Sequence, residues 1–386
     1  MAEKITKLPI QNAGSFKQGL EGIVAAQTHI CDIDGQKGRL IYAGYEIGDL
    51  AEKATFEEVI FLLMQQRLPN QRELTELQLT LEENAEVPHE IMESLKRLAP
   101  RLSAMGMLRT FVSMHAHFDP EAGDRSMSAN ENKALRIIAK IPTLVAAFDR
   151  FRKGNQFVAP KPGQNISTRF LYQLFGKDPL PEASRAMDMA LVLHAEHGFN
   201  ASTFAARVVA ATLSDIYSAV TAAIAALKGP LHGGANEEVI KMLRQIGHIR
   251  NAREFIENEL ANKRVIFGFG HRVYKTIDPR AKHLMKMSEA LSKASGQTKW
   301  YEMSVEIQKI MKELKGLDPN VDFYSASMYQ TMGIAPDLFT ALFAISRAAG
   351  WTAHILEQYR HNRLIRPLSE YIGPRDLKYV SIDKRT

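Results

Sequence analysis

Apolar residues return every three or four positions along most of this 386-residue chain, and strand-like stretches are confined to its start. Residues 28–33 and 39–42 have strand character, and Asp34-Gly35 and Lys37-Gly38 between them supply turn chemistry for a small hairpin. From Phe56 onward helix follows helix. Thr55 and Glu58 make a capping-box pair ahead of Ile60, Phe61 and Met64, which recur at helical spacing. Pro69 and Asn70 end that helix, another begins over 72–82, and Pro88, Pro100 and Pro120 punctuate those that follow. The stretch 119–129 reads as an exposed loop.

Residues 184–228 form the most compact helical block. A helix over 184–195 stops at Gly198, Asn200 and Ser202 can cap a second over 203–213, and Ser214 and Asp215 can cap a third over 216–228. The third reads IYSAVTAAIAAL, apolar or small on every face, so burial all round is expected. A central core helix and a subunit interface both satisfy that expectation. Further helices are predicted over 235–246, 252–261, 281–293, 300–315 and 338–359, with a long loop over 263–280. The fold class is all-α with one small N-terminal β-hairpin.

Composition narrows the reading. A chain with 45% hydrophobic and 24% charged residues is an ordinary globular one, long enough for two or more domains and a core without covalent staples. Cys31 is the single cysteine, which excludes an intrachain disulfide framework and fits a reducing compartment; it reads as a small buried hydrophobe. The first residues, MAEKITKLPIQNAGSF, lack an apolar core for a signal peptide, and the longest apolar tract, ending at Leu227, is too short and polar to span a membrane. A cytoplasmic location is the expectation. The net charge of +6 comes from scattered basic residues with no run of five, so a polyanionic small substrate or a solvated surface accounts for it. A non-enzymatic, nucleic-acid-binding helical scaffold is the alternative from a different class.

Three separated turns carry the chemistry. In 228–237 (KGPLHGGANE), His232 stands just before a helix, where the positive helix end disfavours imidazolium and a neutral ring can hydrogen-bond a developing oxyanion. Gly233 and Gly234 would leave room for a ligand beside the backbone. In 267–280 (FGFGHRVYKTIDPR), His271 follows Gly268-Phe269-Gly270, which lacks the third glycine and the strand of a dinucleotide fingerprint; an anion nest stays open there. Arg272 and Lys275 follow, and Arg280 after Asp278-Pro279 offers a guanidinium fork for a carboxylate. In 319–324 (PNVDFY), Asp322 sits between apolar neighbours, which would raise its basicity, although an N-cap role is the plainer reading. His194 and His197, three apart, would share a helical face, but no third ligand can be nominated and no metal is assigned. Arg347, on an apolar helix, needs an anionic partner if buried.

The motifs GPLHGGANE, FGFGHRVYKTIDPRA, PNVDFYSASMY and ISRAAGWTAHILEQ, with NRLIRPLSEYIGP near the end and GLEGIVAAQTHICDIDGQKGRLIYAGYEIGDLA near the start, resemble citrate synthase over nearly the whole chain. The close relative 2-methylcitrate synthase shares them. The resemblance implies condensation of acetyl-CoA with oxaloacetate and hydrolysis of the thioester to citrate and CoA, with no tightly bound cofactor. It makes Asp322 the base at the acetyl methyl, His232 the donor to the enol oxygen and His271 the acid at the oxaloacetate carbonyl. His197, Arg280 and Arg347 would bind the keto acid, with Arg366 arriving from the partner of a homodimer. Val265, Ile266, Phe267, Gly268, Phe269 and Gly270 would lie along the CoA adenine, and Lys275 near its phosphates. Three arginines against two carboxylates would leave surplus positive charge for the developing alkoxide. The implied architecture is a large helical domain, 1–232 with 328–386, and a smaller one, 233–327, that closes over the substrates.

Overall fold

The computed structural model describes residues 16–271 and 273–385; Arg272 and the first fifteen residues, on which part of the signal-peptide expectation rests, lie outside that set. Residues 29–364 make one unit, and the described parts of Met1–Thr28 and Ile365–Thr386 make another. Arg366 belongs to the second and is exposed.

The larger unit is helical, as expected. It begins with a three-stranded antiparallel sheet, β1 (Cys31–Asp34), β2 (Arg39–Tyr42) and β3 (Tyr45–Glu46), in the order β1-β2-β3 with Cys31 opposite Tyr42. The third strand was not legible, because two residues carry no alternation. Sixteen α-helices follow among the described residues. They are α1 (Ile47–Lys53), α2 (Phe56–Gln65), α3 (Gln71–Glu83), α4 (His89–Leu98), α5 (Ala104–His115), α6 (Met127–Arg152), α7 (Ile166–Phe175) and α8 (Pro181–His194). Then come α9 (Ala201–Ala210), α10 (Ile216–Leu227), α11 (Ala235–Ile246), α12 (Ala252–Ala261), α13 (Ala281–Ser295), α14 (Lys299–Lys315), α15 (Val321–Thr331) and α16 (Phe339–Arg360). No described helix is long and apolar enough to cross a membrane.

The caps explain most boundaries. Thr55 and Glu58 form the expected box at α2. Helix α2 stops at Gln65, with Gln66 in the left-handed region, and Asn70, expected to end it, instead forms with Glu73 a second box that starts α3. Asn200 and Asp215 cap α9 and α10 through their side chains. The predicted loop 119–129 ends earlier, because Ser126 caps α6.

Helix α10 is enclosed by its own chain on most but not all faces. Ile216, Ala219, Val220, Ala223, Ile224 and Leu227 are buried, but Ser218 and Ala225 are open in the single chain. It packs mainly on α9, α5 and α16.

Helix α16 is the spine of the unit. Gly350 lets it approach the end of α8 closely: a Cβ there would lie 2.3 Å from the Ala195 carbonyl and from Glu196 Oε2. Ser346 donates to the Leu191 carbonyl at the same crossing. The result is a stripe, Arg347, Trp351, His354 and Gln358, at helical spacing toward the turn after α8.

Candidate active site

His194 is the last residue of α8 and His197 lies in the turn that follows. Helix α8 ends at His194, so the two rings do not share a helical face as the spacing suggested. His194 is buried, with Nδ1 on the Ala190 carbonyl and its ring edge-on to Phe343. His197 faces a different way. Its Nε2 lies 3.1 Å from the Tyr274 hydroxyl, and its ring stands 5.4 Å from that of His271.

His232 lies three residues before α11. Its Nε2 is 2.8 Å from Ser202 Oγ and accepts from the Ser202 backbone N–H at 3.3 Å. An accepting Nε2 places the single proton of the neutral ring on Nδ1, the opposite tip. Burial, then the nearby Arg347, lowers its pKa to about 4, so the ring is uncharged at neutral pH. Ser202 is in turn held by the Trp351 indole N–H at 3.0 Å. Of the two glycines, only Gly233 departs from expectation. A Cβ on Gly233 would lie 2.2 Å from the Leu227 carbonyl, so that glycine serves packing, whereas Gly234 faces open space.

His271 has the mirror arrangement. Its Nδ1 accepts from the N–H groups of Val273 and Tyr274 at 2.9 and 3.1 Å. The proton of the neutral ring is therefore on Nε2. Burial, then Arg280, lowers its pKa to about 4. The glycines before it are also structural. Gly268 has φ +87°, and a Cβ there would meet Phe323 at 2.6 Å. The carbonyls of Gly268 and Gly270 accept from Asn320, through its N–H at 2.8 Å and its side-chain amide at 3.0 Å. The loop is thereby zipped to the start of α15.

Asn320 is the N-cap of α15, its side chain accepting from the Asp322 N–H. Asp322 is thus not the cap, and no described residue donates a hydrogen bond to its carboxylate. Burial, reinforced by Asp278 and opposed by Arg280 and Arg347, pushes its pKa up to about 6.

The two buried arginines are unlike. Arg280 is held by Asp278 in a two-bond fork, 2.9 and 2.8 Å, and Asp278 also accepts from the Val321 N–H at 3.2 Å. Burial works against the Arg280 charge, but Asp278 overcomes it and holds the guanidinium ionised. Arg280 is therefore already neutralised, which removes one of the three free cations expected opposite the substrate. Arg347 is 2% exposed and makes no ion pair among the described residues. Its Nε donates to the His194 carbonyl at 2.7 Å, and its guanidinium covers the Phe343 ring. Burial lowers its pKa, and Glu196 is the carboxylate whose field favours its charge. Glu196 is itself engaged by His354 at 3.0 Å, and His354 Nδ1 faces Arg207, which pairs with Glu357 at 2.6 Å.

These fields place the groups in one neighbourhood. Arg280 and Arg347 both act on His197 and Asp322, Arg280 acts on His271, and Arg347 acts on His232. A buried, unpaired guanidinium beside two neutral imidazoles and an unbonded carboxylate suits an anionic carbonyl substrate. Of the other expected residues, Ile266 is buried, Val265 and Phe267 are exposed, and Lys275 is exposed on the same loop. Sequence reasoning missed Tyr274, Asp278, Glu196 and His354, and saw Ser202 only as a cap.

The chain matches the family described as "Citrate synthase, C-terminal domain" over residues 19–368. It is 53% identical over 369 residues to citrate synthase 2 of Bacillus subtilis, covering 95% of this chain and 99% of that one. The chain belongs to the citrate synthase family. It is accordingly an acyltransferase-type enzyme. The solved citrate synthase of Pyrobaculum aerophilum superposes with a TM-score of 0.89 at 39% identity, covering 95% of each chain. The Thermoplasma acidophilum citrate synthase, solved as a ternary complex with carboxymethyl coenzyme A and oxaloacetate, gives 0.89 at 34% identity over 97% of this chain and all of that one. The chain is also 39% identical to 2-methylcitrate synthase 1 of Corynebacterium glutamicum, over 96% of this chain and 98% of that one.

Proposed function

We propose that the chain condenses acetyl-CoA with oxaloacetate and hydrolyses the product to citrate and CoA, through an enol held between Asp322 and His232. A thioester methyl is a very weak carbon acid, so one carboxylate needs help at the oxygen. Asp322 takes a methyl proton while the Nδ1–H of His232 hydrogen-bonds the thioester oxygen as it becomes the enol oxygen. The enol carbon attacks the keto carbon of oxaloacetate. Its carbonyl oxygen takes the Nε2 proton of His271 as the new carbon–carbon bond forms, and the proton that Asp322 removed restores the neutral ring through solvent. Water then cleaves the thioester, releasing CoA as its thiol. Each positioned acid or base is worth roughly 10²–10⁴-fold.

Arg347 is the main clamp for an oxaloacetate carboxylate, with Arg280 and His197 beside it and Arg366 supplied by a second subunit. CoA lies along 265–270 with Lys275 near its phosphates, and no tightly bound cofactor takes part. The segment 233–327 closes on the rest of the chain and excludes water from the enol. The open stripe on α10 supports a homodimer built on α9 and α10. The location is cytoplasmic.

The observation that carries this reading is the buried Arg347, without an ion pair among the described residues, in the same neighbourhood as the neutral His232 and as Asp322, whose carboxylate receives no hydrogen bond from a described residue. The test is thiol release with acetyl-CoA, with and without oxaloacetate, on the parent and on Asp322→Ala. The expected result is oxaloacetate-dependent release that Asp322→Ala loses while still binding oxaloacetate. Release that survives in Asp322→Ala would overturn the proposal. The relationship to 2-methylcitrate synthase favours one second reading, use of propionyl-CoA. A single methyl group discriminates by only about 1–3 kcal/mol, so relative rates with the two thioesters decide it.

A further inference from the structure

The β1–β2 turn presses against the loop that holds His271. Within the turn, Asp34 accepts from the N–H groups of Gln36 and Lys37, both at 3.0 Å. The Gly35 carbonyl then accepts from the Lys275 N–H at 2.9 Å. A Cβ on Gly35 would lie 2.3 Å from the Val273 oxygen and 2.9 Å from its carbonyl carbon. At Gly38 it would lie 2.8 Å from the Ile277 oxygen and from the Thr276 methyl. Two glycines of one turn thus meet the backbone of the loop at Val273, Lys275 and Ile277. The obstructing atoms at Gly35 are backbone, which no rotamer change can move aside.

The chemistry of Val273 gives this contact a purpose. Its N–H holds Nδ1 of His271, and its carbonyl packs on Gly35. The segment has no helix or strand of its own, and within 273–277 only Tyr274 is buried, Val273 and Ile277 being exposed. The same hairpin reaches the other side of the site, because a Cβ on Gly198, beside His197, would lie 3.2 Å from Ile33 Cδ1. Gly35 is absent from the residues of positive φ, so its backbone does not itself demand glycine. What demands it is the closeness of the loop.

We propose that the β1–β2 turn is the rest against which the His271 loop is positioned, with Gly35 and Gly38 as positioning residues for the reaction. This rests on the reading of His271 as the acid. Because the hairpin lies outside 233–327, the contact forms across the boundary proposed to close, and opening breaks it.

The test substitutes Gly35→Ala, with Gln36→Ala in the same turn as control and His271→Gln as reference. Measured are thermal midpoint, kcat and KM for each substrate, and hydrogen exchange over 273–277. A loop displaced by about 1 Å costs up to ~10²-fold in rate, so Gly35→Ala is expected to lose roughly 10–100-fold in kcat. Lys275 should exchange faster while the helices and the midpoint stay as in the parent, and Gln36→Ala should match the parent throughout. Parental kcat and exchange in Gly35→Ala would overturn the proposal. Parental kcat in His271→Gln would instead overturn the acid assignment. Should Gly35→Ala fail to fold, Asp34→Ala, which frees the turn's two N–H groups, decides: lost kcat with faster Lys275 exchange supports the proposal, and neither change overturns it.

Discussion

The His232 turn and the His271 loop each present an uncharged imidazole, but by opposite constructions. His232 is fixed by regular structure: it bonds to Ser202 on α9, which Trp351 on α16 holds, and the next residue, Gly233, packs on the Leu227 carbonyl at the end of α10. His271 is fixed by the N–H groups of its own loop. One ring bonds through Nε2 and offers Nδ1; the other bonds through Nδ1 and offers Nε2. Their arginines differ in the same sense, since Arg347 near His232 is unpaired and Arg280 near His271 is locked to Asp278. The helical half can hold an uncompensated charge because packing fixes it, whereas the loop half needs its own counter-ion. A site assembled this way can be rigid where the enol forms and movable where the keto acid enters.

The largest effect should come from Asp322, which serves both halves. Asp322→Asn is expected to lower oxaloacetate-dependent thiol release by ~10³-fold or more, against roughly 10²–10⁴-fold for His232→Gln or His271→Gln. Equal, small losses in all three would erase the distinction between base and donors.

The arginines sharpen the contrast next. Arg280→Met strands Asp278 in the interior, so chemical denaturation should show a loss of about 3–5 kcal/mol. Arg347→Met breaks no ion pair and leaves Glu196 its bond to His354, so its stability loss should be smaller than that of Arg280→Met while KM for oxaloacetate climbs. Similar stability losses in both would contradict the paired-versus-unpaired description.

Among the three catalytic groups Ser202→Ala should be felt at His232, although it also frees the Trp351 indole N–H and the Asn200 side chain and so costs some stability. Removing the hydroxyl leaves the backbone N–H on Nε2, and a loss of one hydrogen bond, about 1 kcal/mol, corresponds to roughly fivefold in kcat. In the His232→Gln background the same change should add little, whereas in the His271→Gln background it should add fully.

The smallest effects follow pH. Asp322 must be ionised, so kcat/KM should rise with unit slope through about pH 6 and then level. Both donor histidines, near 4, are already neutral there and add no second limb. The stability effect has the opposite sign. The folded pKa of Asp322 lies above its ordinary 3.8, so ionisation disfavours the fold. That penalty is absent below about 3.8, grows toward 6 and is complete above it. Asp322→Asn should therefore stabilise the protein at pH 8, by about 1–3 kcal/mol, and not at acid pH.

Much of this was legible in the sequence. Side-chain caps such as Thr55, Asn200 and Asp215 act locally, so helix boundaries could be read from neighbours alone. His232, His271 and Asp322 stood out because each lies in a turn of unusual composition. Asp278 and Glu196 did not, since their partners, Arg280 and His354, are recognised only once the chain is folded. Gly233, Gly268 and Gly35 looked like room for a ligand or for a turn; in the fold they are close approaches between segments distant in sequence. His194 and His197 illustrate the reverse error, a helical spacing interrupted when α8 ends between them.

The most direct test of the opposed imidazoles is ¹⁵N NMR of histidine-labelled protein at pH 7, assigned with His232→Gln and His271→Gln. The account predicts a neutral ring protonated at Nδ1 for His232 and a neutral ring protonated at Nε2 for His271. An imidazolium at either position, or the same tautomer at both, would contradict it.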